Sequence, residues 1–225
     1  MARLSSRKYH ETRVLTAAEI IAGDRRKGPK NGQMAADYTV LCPAGTVFAR
    51  VFGIEKLLLK CSYNGRLYTQ EVPGVFLKPG VPAGDPVDAE KLKAASLAFM
   101  AACLAAEQPK GILRAMLIRT QVYPGLVRKD NKGRTIILYN IYHPEGSVSA
   151  EVVDGVSMKL RSSYGGFLNT QERLGGFDLG HFKRIARTFV QDVLSVAAGR
   201  EVRNAVMTKA QYLKSLKTKT TTENK

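Results

Sequence analysis

Short apolar runs separated by turn residues dominate the first third of the chain. Residues 38–42 and 46–52 flank Pro43-Ala44-Gly45, and residues 56–62 and 66–72 flank Asn64-Gly65. Asn-Gly suits the two positive-φ positions of a tight turn, so the second pair predicts a β-hairpin and the first pair two short strands. Pro and Gly then crowd residues 73–86, which read as a loop. From Ala94 to Ala106 the pattern changes: almost every side chain is small or apolar, with Leu97, Phe99, Met100, Cys103 and Leu104 among alanines. A helix apolar all round is enclosed by other elements. Residues 88–107 are therefore expected to form a central core helix about 30 Å long. Asp88 is placed to cap it, Glu90 suits the positive end of its dipole, and Pro109 with Gly111 closes it. Its Met and Cys read as core side chains.

Beyond this helix, residues 112–123 (ILRAMLIRTQVY) fit either a helix or a buried strand, with a β-branched end that favours a strand. Turns at Pro124-Gly125 and at 130–133 precede a strand at 135–142. Residues 148–153 and 156–160 form a second hairpin about Asp154-Gly155. Residues 162–176 hold two Gly-Gly pairs and read as a mobile loop. Asp178 then caps an amphipathic helix with Phe182, Ile185, Phe189, Val193 and Val196 on one side and Gly199 as its stop. Residues 1–13 read as a basic mobile arm, 16–23 as a short helix, 201–216 as a last helix, and the remaining tail as disordered. No internal repeat or interdomain linker is visible.

Charge changes this picture most. The chain has 225 residues and a net charge of +16, with a pI near 9.9. Such a field concentrates polyanions, making nucleic acid or an acidic membrane surface the expected partner. Cys42, Cys61 and Cys103 lie far apart in apolar runs and read as buried hydrophobes in a reducing compartment. The first residues lack an apolar signal core, and no segment reaches the roughly 20 apolar residues of a membrane span. A soluble, intracellular protein is expected, with no membrane insertion. No Walker loop, GxGxxG, HExxH, GxSxG or CxxC occurs. His10, His143 and His181 stand apart from ligands or relay partners, and the carboxylates are too scattered for two-metal chemistry. No catalysis and no cofactor are expected.

Basic residues are interleaved with apolar and aromatic ones instead of gathered in a tail. Arg50, Lys56 and Lys60 belong to the first sheet segment, and Arg114 and Arg119 follow the central helix. Arg128, Lys129, Lys132 and Arg134 surround the next turn. Lys159 and Arg161 end the second hairpin, and Lys183, Arg184 and Arg187 occupy the polar side of the late helix. Positive charge fixed on folded elements permits a groove that tracks a sugar-phosphate backbone. Tyr123, Tyr139, Tyr142, Tyr164 and Phe167 lie near these residues and are candidates to stack on unpaired bases. No sequence-reading DNA module is present, which favours sequence-independent binding of single strands. Apolar and basic termini at both ends suit docking onto neighbouring copies, in rings or filaments.

The order of these features resembles the nucleoproteins of segmented negative-strand RNA viruses of the peribunyavirus type, over roughly residues 38–199. The points of resemblance are the Asn64-Gly65 hairpin, the Pro-rich loop and the LAFMAACLAAE helix. Further points are Val122-Tyr123-Pro124, the strand IILYNIYHPEG, GVSMKLR and a late helix. The resemblance implies a mainly α fold with small β-hairpins (α+β) in two lobes, 16–110 with the core helix and 111–200. Arms at 1–15 and 201–225 would link protomers into a homo-oligomer. Single-stranded viral RNA would lie in a basic cleft between the lobes, in the virion nucleocapsid and host cytoplasm, with the viral RNA polymerase as a further partner. Arg50 and Lys56 fall where the family places groove lysines, and Lys159 and Arg161 where it has basic residues after the late strand. Ala101 and Ala102 stand near a family basic position, with Arg114 and Arg119 as substitutes. The alternatives are a cellular or organellar single-strand nucleic-acid-binding protein, a viral matrix or capsid protein, and a nuclease with dispersed ligands.

Overall fold

Strands account for most of the chain in the computed structural model, which describes residues 8–27, 34–52, 56–76, 87–105, 111–175 and 179–200. Six strands precede the first helix: β1 (Lys8–Val14), β2 (Glu19–Lys27), β3 (Met34–Cys42), β4 (Gly45–Phe52), β5 (Lys56–Tyr63) and β6 (Arg66–Pro73), followed by α1 (Ala89–Leu104). The same order then recurs: β7 (Ile112–Met116), β8 (Gln121–Lys129), β9 (Thr135–His143), β10 (Gly146–Val153), β11 (Ser157–Tyr164), β12 (Phe167–Leu174) and α2 (Leu179–Ala197). They form two antiparallel six-stranded sheets, β2-β3-β4-β5-β6-β7 and β1-β12-β11-β10-β9-β8. Each sheet takes one edge strand from the other half of the chain, since β7 pairs with β6 and β1 with β12.

The two halves are copies. A constant offset carries Tyr38, Pro43, Gly45, Val47, Ala49 and Val51 onto Tyr139, Pro144, Gly146, Val148, Ala150 and Val152. The same offset carries Ser62-Tyr63, Gly65, Leu67 and Thr69-Gln70-Glu71 onto Ser163-Tyr164, Gly166, Leu168 and Thr170-Gln171-Glu172. Irregularities match as well: β2 slips register between Ala22 and Arg25, and β8 between Pro124 and Val127. The expectation of no internal repeat is therefore overturned. The shared residues are scattered singly along strands, between positions where the copies differ in charge and size.

The expected mainly α fold is likewise overturned, since the described residues are mostly strands in two antiparallel sheets. Residues 162–176, read as a loop, contain β12, because alternate positions of this strand are Asn169, Gln171 and Arg173, polar yet buried. Residues 8–14, read as a mobile arm, form the edge strand β1, and the helix expected at 16–23 is replaced by the start of β2. The last helix and tail, and the Asp178 cap, lie outside the described residues.

Each helix covers the outer face of one sheet. In α1, Asp88 caps the start by accepting the Lys91 N–H at 3.2 Å, as expected. Leu92, Phe99, Met100 and Cys103 are buried against Val40, Val47, Ala49, Leu57, Leu59 and Cys61. The helix is not central: Leu97 is 42% exposed, and Ala94, Ala98 and Ala101 face water. Alanine exposes so little apolar area that an alanine-rich face tolerates solvent, which is why apolar content overstated its enclosure. In α2, Phe182, Ile185, Phe189 and Val193 pack on Ile141, Val148, Ala150, Met158 and Leu160, as the stripe predicts. The three cysteines are free and buried, and burial pushes the Cys42 thiol up to about 12. Among the described residues, no helix is long and apolar enough to cross a membrane.

The inner faces meet along a seam of small hydroxyls. Thr39 Oγ1 donates to Ser149 Oγ at 3.4 Å, while Thr46 pairs with Ser163 and Ser62 with Ser147, both at 3.1 Å. Ser and Thr bring the sheets close while giving their buried polar groups partners. Reciprocal backbone bonds lock the halves: the Gly65 N–H donates to the Pro144 carbonyl at 2.7 Å, and the Gly166 N–H to that of Pro43 at 2.9 Å. The fold is a pseudo-two-fold stack, helix–sheet–sheet–helix, with its edge strands exchanged.

Candidate nucleic-acid interface

Both faces of each sheet are covered near the centre, but a cleft opens on either side of the hydroxyl seam. The duplication makes these two clefts equivalent, and their side chains have diverged. The first has a volume of about 160 Å³. Inward-facing positions of β3, β4 and β5 give it Asp37, Arg50 and Lys60, and β8 and β9 give it Tyr123, Asn140 and Tyr142 above a floor of Phe48, Leu58 and Leu67.

Three aromatic rings form its wall. Phe48 meets Tyr142 edge-on, with centroids 5.2 Å apart at 82°, and Tyr123 meets Tyr142 at 5.7 Å and 72°. Tyr142 is buried, which pushes its phenol well above the usual range and keeps it neutral. Tyr123 is 51% exposed and offers a ring face to solvent, its hydroxyl donating to Gln121 Oε1 at 2.8 Å. Arg50 donates from Nη2 to Asp37 Oδ2 at 3.0 Å and lies 5.9 Å from the centre of the Phe52 ring. Hydrogen bonding to Asp37 raises the pKa of Arg50, so this guanidinium is both charged and held in place. Lys60 makes no ion pair among the described residues. Stacking surface, a fixed guanidinium and a lysine whose charge is not neutralised thus face one cleft.

The second cleft, about 220 Å³, is lined by Glu11, Arg13, Glu19, Lys159 and Arg161 beside Ile21, Leu41 and Leu168. The equivalents of Phe48, Arg50, Lys60 and Tyr142 are Ser149, Glu151, Arg161 and Leu41, and strand register matches Tyr123 to Ile21; of these Arg161, Ile21 and Leu41 line the second cleft. Its cations are compensated: Arg161 faces Glu151 at 3.5 Å, Lys159 faces Glu172 at 3.3 Å, and Arg13 pairs with Glu19. Among the described residues, no aromatic side chain lines it.

The basic residues expected from the sequence to share one groove are distributed over several surfaces. Arg50 and Lys60 share the first cleft, whereas Lys159 and Arg161 share the second. Lys56 is exposed and paired with Glu71 at 2.6 Å. Arg114 lies exposed on β7 opposite Tyr68, and Lys129 is exposed at the end of β8. Lys183 and Arg184 occupy the solvent side of α2, while Arg119 and Arg187 meet at a third cavity, with His143. Of the stacking candidates, Tyr139 packs against Phe182 at 4.6 Å in the α2 core, Tyr164 against Tyr63 at 6.2 Å, and Phe167 lies opposite Tyr164 across β11 and β12, leaving Tyr123 and Tyr142 in the cleft. Asn140 is not among the residues singled out from the sequence; aligning the two halves, which sets it against Thr39, is the signal able to mark it. Among the described residues, no group of three or more His, Cys, Asp or Glu is placed to hold a metal ion. Comparison with protein-family models, curated proteins and solved structures finds no match for the chain.

Proposed function

We propose that the protein binds single-stranded nucleic acid without reading its sequence, in the aromatic and basic cleft between the sheets. The observation that carries this reading is the contrast between two clefts of common origin. In one the cations are ion-paired and no aromatic side chain lines it among the described residues, while the other presents Tyr123 with Lys60, which makes no ion pair among the described residues, beside the Asp37-bound Arg50. An exposed tyrosine face stacks on any base, and Lys and Arg beside it attract the phosphates on either side of that base. Asn140 adds an amide at the cleft wall, where it can donate to or accept from a base edge. The net charge of +16 supports the same partner by drawing polyanions to the surface. The genome-coating role is an implication of the resemblance, whose mainly α fold the chain does not have, and the proposal is limited to the binding activity.

Fluorescence anisotropy with labelled oligouridylate, a mixed-sequence single strand and a duplex of equal length, each over a salt series, tests it. Lys60 in the cleft and Arg119, four residues before Tyr123 along the chain, give two phosphate contacts, Arg50 being paired with Asp37. The slope of log affinity against log salt is then about −1.4, from about −0.7 per contact. Both single strands should bind alike and more tightly than the duplex. A flat salt response, or a preference for duplex, would remove the proposal.

A further inference from the structure

Residues 117–120 carry the chain from β7 in one sheet to β8 in the other. On one side of this crossover, Leu117 packs on Phe48, Leu67 and Tyr142 beneath the aromatic cleft. On its other side lies a cavity of about 460 Å³, between the crossover, the end of β9 and α2. Arg119, Thr120, His143, Glu145, Arg187 and Gln191 contribute to its lining.

The first half of the chain shows what this crevice looks like when closed. The matching bonds of the Leu15 N–H to Gly166 and the Leu117 N–H to Gly65 align the two crossovers, so the residues equivalent to Arg119, Thr120, His143 and Glu145 are Ala17, Ala18, Cys42 and Ala44. Ala18, Cys42 and Ala44 belong to the apolar cluster under α1. In the second half, an imidazole and a guanidinium have replaced thiol and methyl, and Arg187 joins them from α2. His143 is 7% exposed, and its Nδ1 accepts the Glu145 N–H at 3.2 Å, which leaves the proton of the neutral ring on Nε2. Burial first, and Arg187 in addition, lower its pKa, with Glu145 opposing. The cavity therefore holds two guanidinium groups, an imidazole N–H, a hydroxyl and an amide, against one carboxylate, 3.9 Å from the ring.

We propose that this cavity is a phosphate site, in which the Arg119 and Arg187 guanidinium groups, the His143 N–H and the Thr120 hydroxyl converge on one phosphate group. Two forked cations with two further donors outnumber what a carboxylate's two oxygens need and suit the three or four oxygens of a phosphate. Arg119 is four residues from Tyr123, at most about 14 Å along the chain. A strand stacked on Tyr123 thus has phosphates within reach of the cavity. The inference rests on the proposed strand binding only for the source of the phosphate; the site itself is testable with the free ion.

The direct test follows the arginine Nε–H and histidine ring signals of isotope-labelled full-length protein by NMR while inorganic phosphate is added, against chloride at equal ionic strength. Phosphate alone should shift the signals of Arg119, Arg187 and His143. The exposed-residue variants Arg119→Gln and Arg187→Gln should each weaken phosphate binding by about tenfold, the loss expected for one charge-assisted contact, while Tyr123→Ala leaves it unchanged. Equal shifts with chloride, or phosphate binding indifferent to both arginine variants, would overturn the site. Oligouridylates with and without a 5′-phosphate then separate the sources. A preference for the phosphorylated strand that Arg187→Gln abolishes identifies a strand end, and equal binding that Arg187→Gln weakens identifies a backbone phosphate. Oligonucleotide binding indifferent to Arg187→Gln, with free-phosphate binding intact, would exclude the strand as the source. Phosphate binding without any oligonucleotide binding would retain this site and reject strand binding.

Discussion

Replacing Tyr123 and Lys60 together by alanine is expected to weaken single-strand binding by about a hundredfold. Loss of one base–aromatic stack costs about 1–3 kcal/mol, and loss of a lysine beside the backbone removes one phosphate contact and lessens the salt slope by about 0.7. Neither side chain is fully buried, so thermal unfolding should change little. The matched control is Ile21→Ala with Arg161→Ala, the equivalent pair in the second cleft, where Arg161 already faces Glu151. A loss there of no more than about threefold is expected, since an ion-paired arginine contributes little net field to a strand. Anisotropy with one labelled oligonucleotide measures all three proteins. Similar losses in both double variants would mean that the contrast between the clefts has no functional meaning.

The largest expected effect on stability lies away from the clefts, at Asp192 on α2. Arg173 of β12 is 6% exposed, donates from Nε to Gln171 Oε1 at 2.7 Å and depends on the opposite charge of Asp192, itself buried. Burial pulls the Arg173 pKa down to about 10 even with Asp192 opposing that shift, which shows how far the guanidinium is removed from water. Asp192→Leu removes an opposite charge that acts on the buried Arg173 without a direct ion pair between them, at a cost of about 3 kcal/mol. For a chain of this size that is a fall in Tm of roughly 10 °C. Arg173→Leu combined with Asp192→Leu should recover most of the loss, because an apolar pair of similar volume does not carry the desolvation of two ions. Calorimetry of the two variants checks this. A double variant no more stable than Asp192→Leu alone would show that the loss arises from packing.

Local chemistry made part of this structure readable from the chain alone. Asn64-Gly65 and Asp154-Gly155 all adopt positive φ, as their turns require, and the α2 stripe buries the side it predicts. These features are set by neighbours in sequence. What escaped reading depends on distant partners. β12 carries its polar residues inward, where Gln171 bonds to Arg173 and Asn169 to Thr12 of β1, so hydrophobic periodicity could not reveal it. α1 was placed at the centre because alanine counts as apolar in a pattern while contributing little surface.

The same limit applied to the site. Arg50, Lys60, Tyr123 and Tyr142 were all singled out from the sequence, but so were Lys159 and Arg161. Lys159 lies directly opposite Glu172 across β11 and β12, and that pairing becomes visible only once strand register is known. Register turns a scatter of cations into neutralised and available ones. The duplication is readable by aligning the chain with itself, which groups the cleft residues from sequence alone.

The central claim is that unpaired nucleic acid lies in the Tyr123 cleft, and ultraviolet cross-linking of the full chain to oligouridylate tests it most directly. Peptide mass spectrometry of the adduct should place the uridine on the peptide containing Tyr123. Adducts confined to peptides from the second cleft or from the solvent face of α2, in a complex that anisotropy shows to be formed, would contradict it.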